Sequence, residues 1–137
     1  MDLSEPQVMG ILNVTPDSFY ENSRQQSEAQ IAGRTEQIME EGASIIDIGA
    51  YSTRSGAADI SAEEEMKRLA LALQTVRRTA PQAIISIDTF RSEVARQCVE
   101  EYGAHIINDI SGGELDKDMF RTMAELNVPY ILTHMRG

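Results

Sequence analysis

The chain has 137 residues and a mass of 15.2 kDa, about one domain's worth of polypeptide. Its 12 Lys and Arg against 22 Asp and Glu leave a formal charge of −10 and a pI near 4.6, the wrong sign for a surface that neutralises phosphate backbones, which argues against nucleic acid as a partner. At 42% hydrophobic and 25% charged residues the chain can bury a core. Its single cysteine, Cys98, makes neither an internal disulfide nor a zinc cluster, and no leader or bilayer-length apolar run interrupts the pattern, so a cytoplasmic protein with no membrane partner is expected.

Val8–Val14 is the first apolar run and reads as a strand. From about Ser27 to Glu41 the period is helical, with Ile31, Thr35, Ile38 and Gly42 on one face and Gly42 where a C-terminal cap belongs. Ala43–Gly49 is the second strand. Ser61 with Glu64 three residues on forms a capping box, after which Met66, Leu69, Leu73 and Val76 make an apolar stripe that ends before Pro81. The acidic run Glu63 to Glu65 reads as a solvated first turn favoured by the helix dipole.

Ala83–Ile87 is the third strand, and a third helix from about Ser92 to Tyr102 buries Val94, Ala95, Cys98 and Val99 and stops at Gly103. Cys98 there reads as an inert core thiol. His105 to Ile110 is the fourth strand, with His105 a structural histidine rather than a ligand. The fourth helix, about Asp116 to Leu126, presents Met119, Met123 and Leu126 before Pro129 forbids its continuation, and Tyr130–Leu132 is the fifth strand. Continuous apolar runs predict strands covered on both faces, as in a parallel sheet. The order βαβαβαβαβ predicts an α/β fold, either an open doubly wound sheet or a barrel.

Polar residues close each strand: Asn13, Asp47, Asp88, Asn108 with Asp109, and His134. Singly, each has a structural reading as a helix cap or turn residue. Together at the carboxyl edge of a parallel sheet, where α/β folds bind ligands, they predict a shared polar pocket. His134 has no His or Cys at metal spacing, which argues against a transition-metal site. The long polar loop from Asn13 to Ser23 adds Asp17, and the Gly- and Ser-rich loop from Gly49 to Ala57 adds Thr53 and Arg54. An Asp and an Arg on such loops predict a lid over a phosphorylated, planar substrate.

The segments MGILNVTPDSF (Met9 to Phe19), GASIIDIGAYSTRSGA (Gly42 to Ala57), SIDTFRSEVA (Ser86 to Ala95), INDISGG (Ile107 to Gly113) and HMRG (His134 to Gly137) resemble, in order, the motifs of the dihydropteroate synthases, folate-pathway enzymes and sulfonamide targets. The resemblance implies a (βα)₈ TIM barrel, of which about five parallel strands and four helices are present. It also implies a transferase reaction, in which p-aminobenzoate displaces pyrophosphate from 6-hydroxymethyl-7,8-dihydropterin diphosphate to make 7,8-dihydropteroate. Carried over by motif, Asn13 is similar to the residue that binds Mg²⁺ with the substrate pyrophosphate, and Asp17 to a loop carboxylate that orders the closed site. Thr53 and Arg54 are similar to the pair beside pyrophosphate and p-aminobenzoate, Asp88 and Asn108 to the pterin readers, and Ile110 and Met135 to apolar pocket walls. Arg54 and Mg²⁺ would stabilise the departing pyrophosphate, and Asp88 the charge that develops on the pterin. Asp47 reads either as a support for the pocket floor or as a direct contact.

Three departures accompany the resemblance. Tyr51 and Ser55 stand where the family commonly has Glu and Pro, and the first loop lacks the usual glycine pair near Asn22 and Ser23, so altered p-aminobenzoate or sulfonamide affinity is expected. A (βα)₈ barrel needs about 250 residues. Residues 1–137 are therefore expected to be a truncated N-terminal portion of a pterin-binding barrel, inactive alone and associating as a homo-oligomer through open sheet edges. Two other readings compete: a methyltetrahydrofolate methyltransferase-like pterin barrel, against which the TPDSF loop and Ser-Thr-Arg speak, and a non-catalytic pterin-binding half-barrel.

Overall fold

A computed structural model describes residues 8–14, 24–50, 61–109 and 116–132. Within them the strands are β1 (Met9–Asn13), β2 (Ile45–Gly49), β3 (Ile84–Asp88), β4 (Ile106–Asp109) and β5 (Tyr130–Leu132). The helices are α1 (Arg24–Glu40), α2 (Ala62–Thr79), α3 (Ser92–Tyr102) and α4 (Met119–Leu126). All strand pairs are parallel, and the sheet order is β1-β2-β3-β4-β5. A doubly wound sheet reverses its order at a switch point; this one never does, which is the winding of a barrel. Successive helices pack on one another around it. No described helix is long and apolar enough to cross a membrane.

Side-chain parity along the strands separates two faces. A Cβ built on Gly10 would meet Ile38 of α1, so Gly10 and Leu12 face the helices. The same register row carries Leu12, Ile48, Ile87 and Ile107, all buried, and with Leu69, Leu73, Val76, Ala95 and Cys98 they form the core. The opposite face holds Ile11, Asp47, Ser86 and Ile106 in one row and Asn13, Gly49, Asp88 and Asn108 in the next. Burial on that face is complete only in the middle of the sheet. Ile11 of β1 is 57% exposed and Ile131 of β5 is 40% exposed, so the expectation of two covered faces holds for the central strands and fails at both outer ones.

Local signals end the helices where chemistry allows. Ser61 Oγ accepts from the Glu64 backbone N–H at 3.0 Å, the capping half of the expected box. Gly103 closes α3 in the left-handed conformation at φ 69°, its N–H turned back on Cys98 and Val99 carbonyls. Asn127, also left-handed, ends α4 two residues before Pro129. His105 Nδ1 accepts from the Ile85 N–H at 3.0 Å, which makes it the structural histidine expected. Cys98 is buried, and burial pushes its thiol well above the ordinary range, so it is inert.

The N-terminus of α3 is capped from a distance. Arg91 supplies no side-chain cap; instead Asp116 Oδ2 accepts from the Ser92 N–H at 2.7 Å while Oδ1 accepts from the Asp118 N–H at 2.9 Å. Asp116 thus precedes α4, which starts at Met119, rather than opening it as the periodicity predicts. Burial alone would raise the pKa of Asp116, but the N–H donors of Ser92 and Asp118 and the Ser92 hydroxyl hold it below the ordinary 3.8. A depressed pKa means the contribution is present above 3.8 and lost as pH falls through the folded-state value. Asp116→Ala is expected to cost about 1 kcal/mol at pH 7. The deficit, measured by urea denaturation, should vanish in strong acid; a deficit that persists there would assign the effect elsewhere.

Candidate active site

Four strand ends place their polar residues in one row. Asn13, Gly49, Asp88 and Asn108 are register partners across β1 to β4, so their side-chain positions share the face opposite the helices at the carboxyl edge. Gly49 stands between its two neighbours in the row without a side chain of its own. A Cβ there would lie 3.4 Å from Asp88 Cβ, 3.5 Å from Asn13 Oδ1 and 3.6 Å from Asp88 Oδ2. Two oxygens therefore border a shallow gap that a Cβ would fill in ordinary contact. Backbone hydrogen bonds continue past the strand ends, Val14 N–H to Gly49 O at 2.8 Å and Thr89 N–H to Asn108 O at 3.1 Å, and hold the row in place.

One layer beneath lies Asp47, registered with Ser86 and 4% exposed. Burial pushes its carboxyl above the ordinary 3.8, and the polar side chains of Ser86 and Asn108 nearby offset part of that cost. Oδ1 of Asp47 has no hydrogen-bond partner among the described residues. Asp109, expected at the same edge, belongs to the other face. It follows Asn108 by one residue, is fully buried, and accepts from the Tyr130 hydroxyl at 2.8 Å. Burial and this carboxylate push the Tyr130 phenol up, and the pair ties β4 to β5 behind the pocket.

A charged layer under the pocket was not legible as such in the composition of α2. Arg68, 5% exposed, donates from a guanidinium nitrogen to the Ala50 carbonyl at 3.0 Å, holding the point where the chain leaves β2. Glu65 is fully buried and pairs with Arg91 at 2.7 Å, and the Arg91 guanidinium carbon lies 4.6 Å from the centre of the Phe90 ring. Burial raises the pKa of Glu65 above 4.5, with Thr89 and Arg91 pulling it back. The solvated acidic turn is therefore corrected at Glu65. Glu63 is exposed and Glu64 half-buried, but Glu65 sits four residues before Leu69 and shares its inward face. That spacing was the available signal.

Asp17, Thr53, Arg54, Ile110, His134 and Met135 lie outside the described residues. Among the described residues no group of three or more His, Cys, Asp or Glu could hold a metal ion. A hard cation that keeps its waters asks for less, and the oxygen of Asn13 at the open edge of the Gly49 gap is of the right chemistry.

The model of the pterin-binding enzymes matches residues 9–137. The folate synthesis bifunctional protein of Pisum sativum, named as mitochondrial, is 53% identical over 133 residues, covering 95% of this chain and 25% of that protein. The dihydropteroate synthase of Escherichia coli K12 is 41% identical over 137 residues, covering 100% of this chain and 48% of the relative. A solved dihydropteroate synthase of Xanthomonas albilineans in complex with 7,8-dihydropteroate superposes with a TM-score of 0.80 at 32% identity, over 99% of this chain and 48% of that one. The chain thus spans about half the length of the single-function enzymes it matches. Those neighbours are TIM barrels, as the unreversed strand order requires. With its polar row at the carboxyl edge of such a sheet, and a family match over nearly its whole length, this chain belongs to the pterin-binding enzymes.

Proposed function

We propose that the chain carries the pterin- and Mg²⁺-binding part of a dihydropteroate synthase. In that reaction the amine nitrogen of p-aminobenzoate bonds to the pterin methylene carbon, the C–O bond to pyrophosphate breaks, and the amine gives up one proton. The observation that carries the reading is the row Asn13, Gly49, Asp88 and Asn108 on one face. A carboxylate beside an amide offers adjacent acceptors to ring N–H and amino donors, and a donor left unpaired on binding costs about 1–3 kcal/mol. Such a pocket selects pterins over merely flat ligands.

Mg²⁺, held by Asn13 together with substrate oxygens, would neutralise charge on the pyrophosphate. Asp17, Thr53 and Arg54, on the loops after β1 and β2, complete the reading as the loop carboxylate and the pyrophosphate and p-aminobenzoate contacts. Arg68 supports it from below, because its bond to the Ala50 carbonyl sets the departure point of the second loop. The buried single thiol suits a reducing compartment such as the cytoplasm.

Calorimetric titration of the 137-residue chain with the pterin diphosphate and Mg²⁺ tests the proposal. Saturable binding is expected, weakened about ten- to a hundredfold in Asp88→Ala. Release of pyrophosphate on adding p-aminobenzoate separates an enzyme from a non-catalytic pterin-binding half-barrel. Wild-type binding that Asp88→Ala leaves untouched would remove Asp88 from the pocket and the proposal with it.

A further inference from the structure

We propose that Asp47 and Ser86 form a buried hydration site one layer beneath the polar row. One water donates a hydrogen bond to Asp47 Oδ1, is bonded at the same time to Ser86 Oγ, and makes up part of the pocket floor. The site belongs to the free chain and does not depend on which ligand the pocket takes.

Two atoms carry the proposal. Asp47 and Ser86 are register partners on the face of β2 and β3 opposite the helices, Asp47 4% exposed and Ser86 fully buried. Asp47 Oδ1 and Ser86 Oγ are both buried, and among the described residues neither has a hydrogen-bond partner. A carboxylate oxygen and a hydroxyl are each costly to leave unsatisfied in an interior, and ordered water is what commonly satisfies them. The sheet itself offers no other polar group at this level. The row runs into Ile11 on one side and Ile106 on the other, and the row below carries Ile45 and Ile84. Above Asp47 on the same face of β2 stands Gly49, which has no side chain, so the pair lies under the gap described above.

Spacing and chemistry both suit a water. Neighbouring strands lie about 4.8 Å apart. Two oxygens that share one water, each at about 2.8 Å, stand about 4.5 Å apart. An ionised carboxylate only accepts, whereas a hydroxyl donates or accepts, so the occupant must donate at one end and do either at the other. Water meets both demands, and an anion is refused by the carboxylate. Burial works against the charged form of Asp47, and a donor at Oδ1 offsets part of that cost. The consequence for recognition is specific. A ligand group that brings a hydrogen-bond donor to this point can take the place of the water, and one that brings an acceptor cannot.

Two measurements on the full chain decide the matter, both without ligand. Oxygen-17 relaxation dispersion of the solvent counts the waters that a protein holds too long to average with bulk. Globular chains hold about one buried water per 27 residues, so the difference between variants is what counts. Ser86→Ala removes one anchor and leaves the β3 backbone in place, and it is expected to show one long-lived water fewer than wild type. An equal count in the folded variant overturns the proposal. The second measurement needs no variant. A wild-type crystal structure at atomic resolution is expected to show a water within about 3.2 Å of both Asp47 Oδ1 and Ser86 Oγ. Absence of that water overturns the proposal, whether or not the Ser86 hydroxyl has turned directly onto Asp47.

Discussion

Arg91→Met is expected to destabilise the chain by about 3–5 kcal/mol at pH 7, because it strands the carboxylate of Glu65 in the interior. Glu65 is fully buried between α2 and the end of β3, and the 2.7 Å bond to Arg91 is its ion pair. Methionine matches the length of the arginine stem, so packing survives while the charge and its hydrogen bond are removed. The stack on Phe90 goes too, a smaller loss of about 0.5–1 kcal/mol. The pH dependence identifies the cause. Burial already holds the Glu65 pKa above 4.5, and loss of Arg91 raises it further. A raised carboxyl pKa means that the native state binds its proton more tightly than the unfolded chain. Stability is then fully present below 4.5 and lost as pH rises through the folded value, so the deficit of Arg91→Met shrinks on acidification. Denaturant titration followed by circular dichroism at neutral and mildly acidic pH gives both numbers. Glu65→Gln in the Arg91→Met background should recover part of the loss at pH 7; no recovery would mean that the buried charge is not what the substitution exposes.

The same pair shows where reading the sequence stops. Strand and helix order followed from apolar runs and periodicity, and the choice between an open sheet and a barrel needed only the strand order, which no local pattern encodes. Asn13, Asp88 and Asn108 were placed at one edge by strand ends alone and do share one row. Asp109 was grouped with them by adjacency, although the two-residue period of a strand sends neighbours to opposite faces. For Glu65 the helical spacing to Leu69 pointed inward, yet its partner lies 26 residues away, and a carboxylate is placed inside only once its cation is known. Arg68 follows the same rule, its acceptor being the Ala50 carbonyl 18 residues earlier. Capping and termination by Ser61 and Gly103 were legible because their partners lie within one helical turn.

Close packing between β1 and α1 underlies the remaining large effect. Gly10 stands on the helix-facing side of β1, and a Cβ added there would overlap Ile38 Cγ2 and press on Ile38 Cβ at 3.2 Å. These atoms sit at the branched root of a side chain that is 3% exposed, so no free end can swing aside. Gly10→Ala must therefore push α1 away from the sheet or force Ile38 off its rotamer, at a cost of about 2–3 kcal/mol. Ile38→Ala alone leaves a cavity worth about 2–5 kcal/mol, but the methyl introduced at position 10 occupies part of it. The double variant is accordingly expected to be more stable than the sum of the two single losses by at least about 1 kcal/mol. Additivity within error would show that the two residues do not share the space assigned to them. A functional readout accompanies the thermal one. Asn13 lies three residues further along β1, on the edge of the gap left by Gly49. On the proposed reading, a shift of β1 under Gly10→Ala should weaken Mg²⁺-dependent binding of the pterin diphosphate more than Mg²⁺-independent binding of the bare pterin, whose proposed readers Asp88 and Asn108 stand on β3 and β4 rather than on β1.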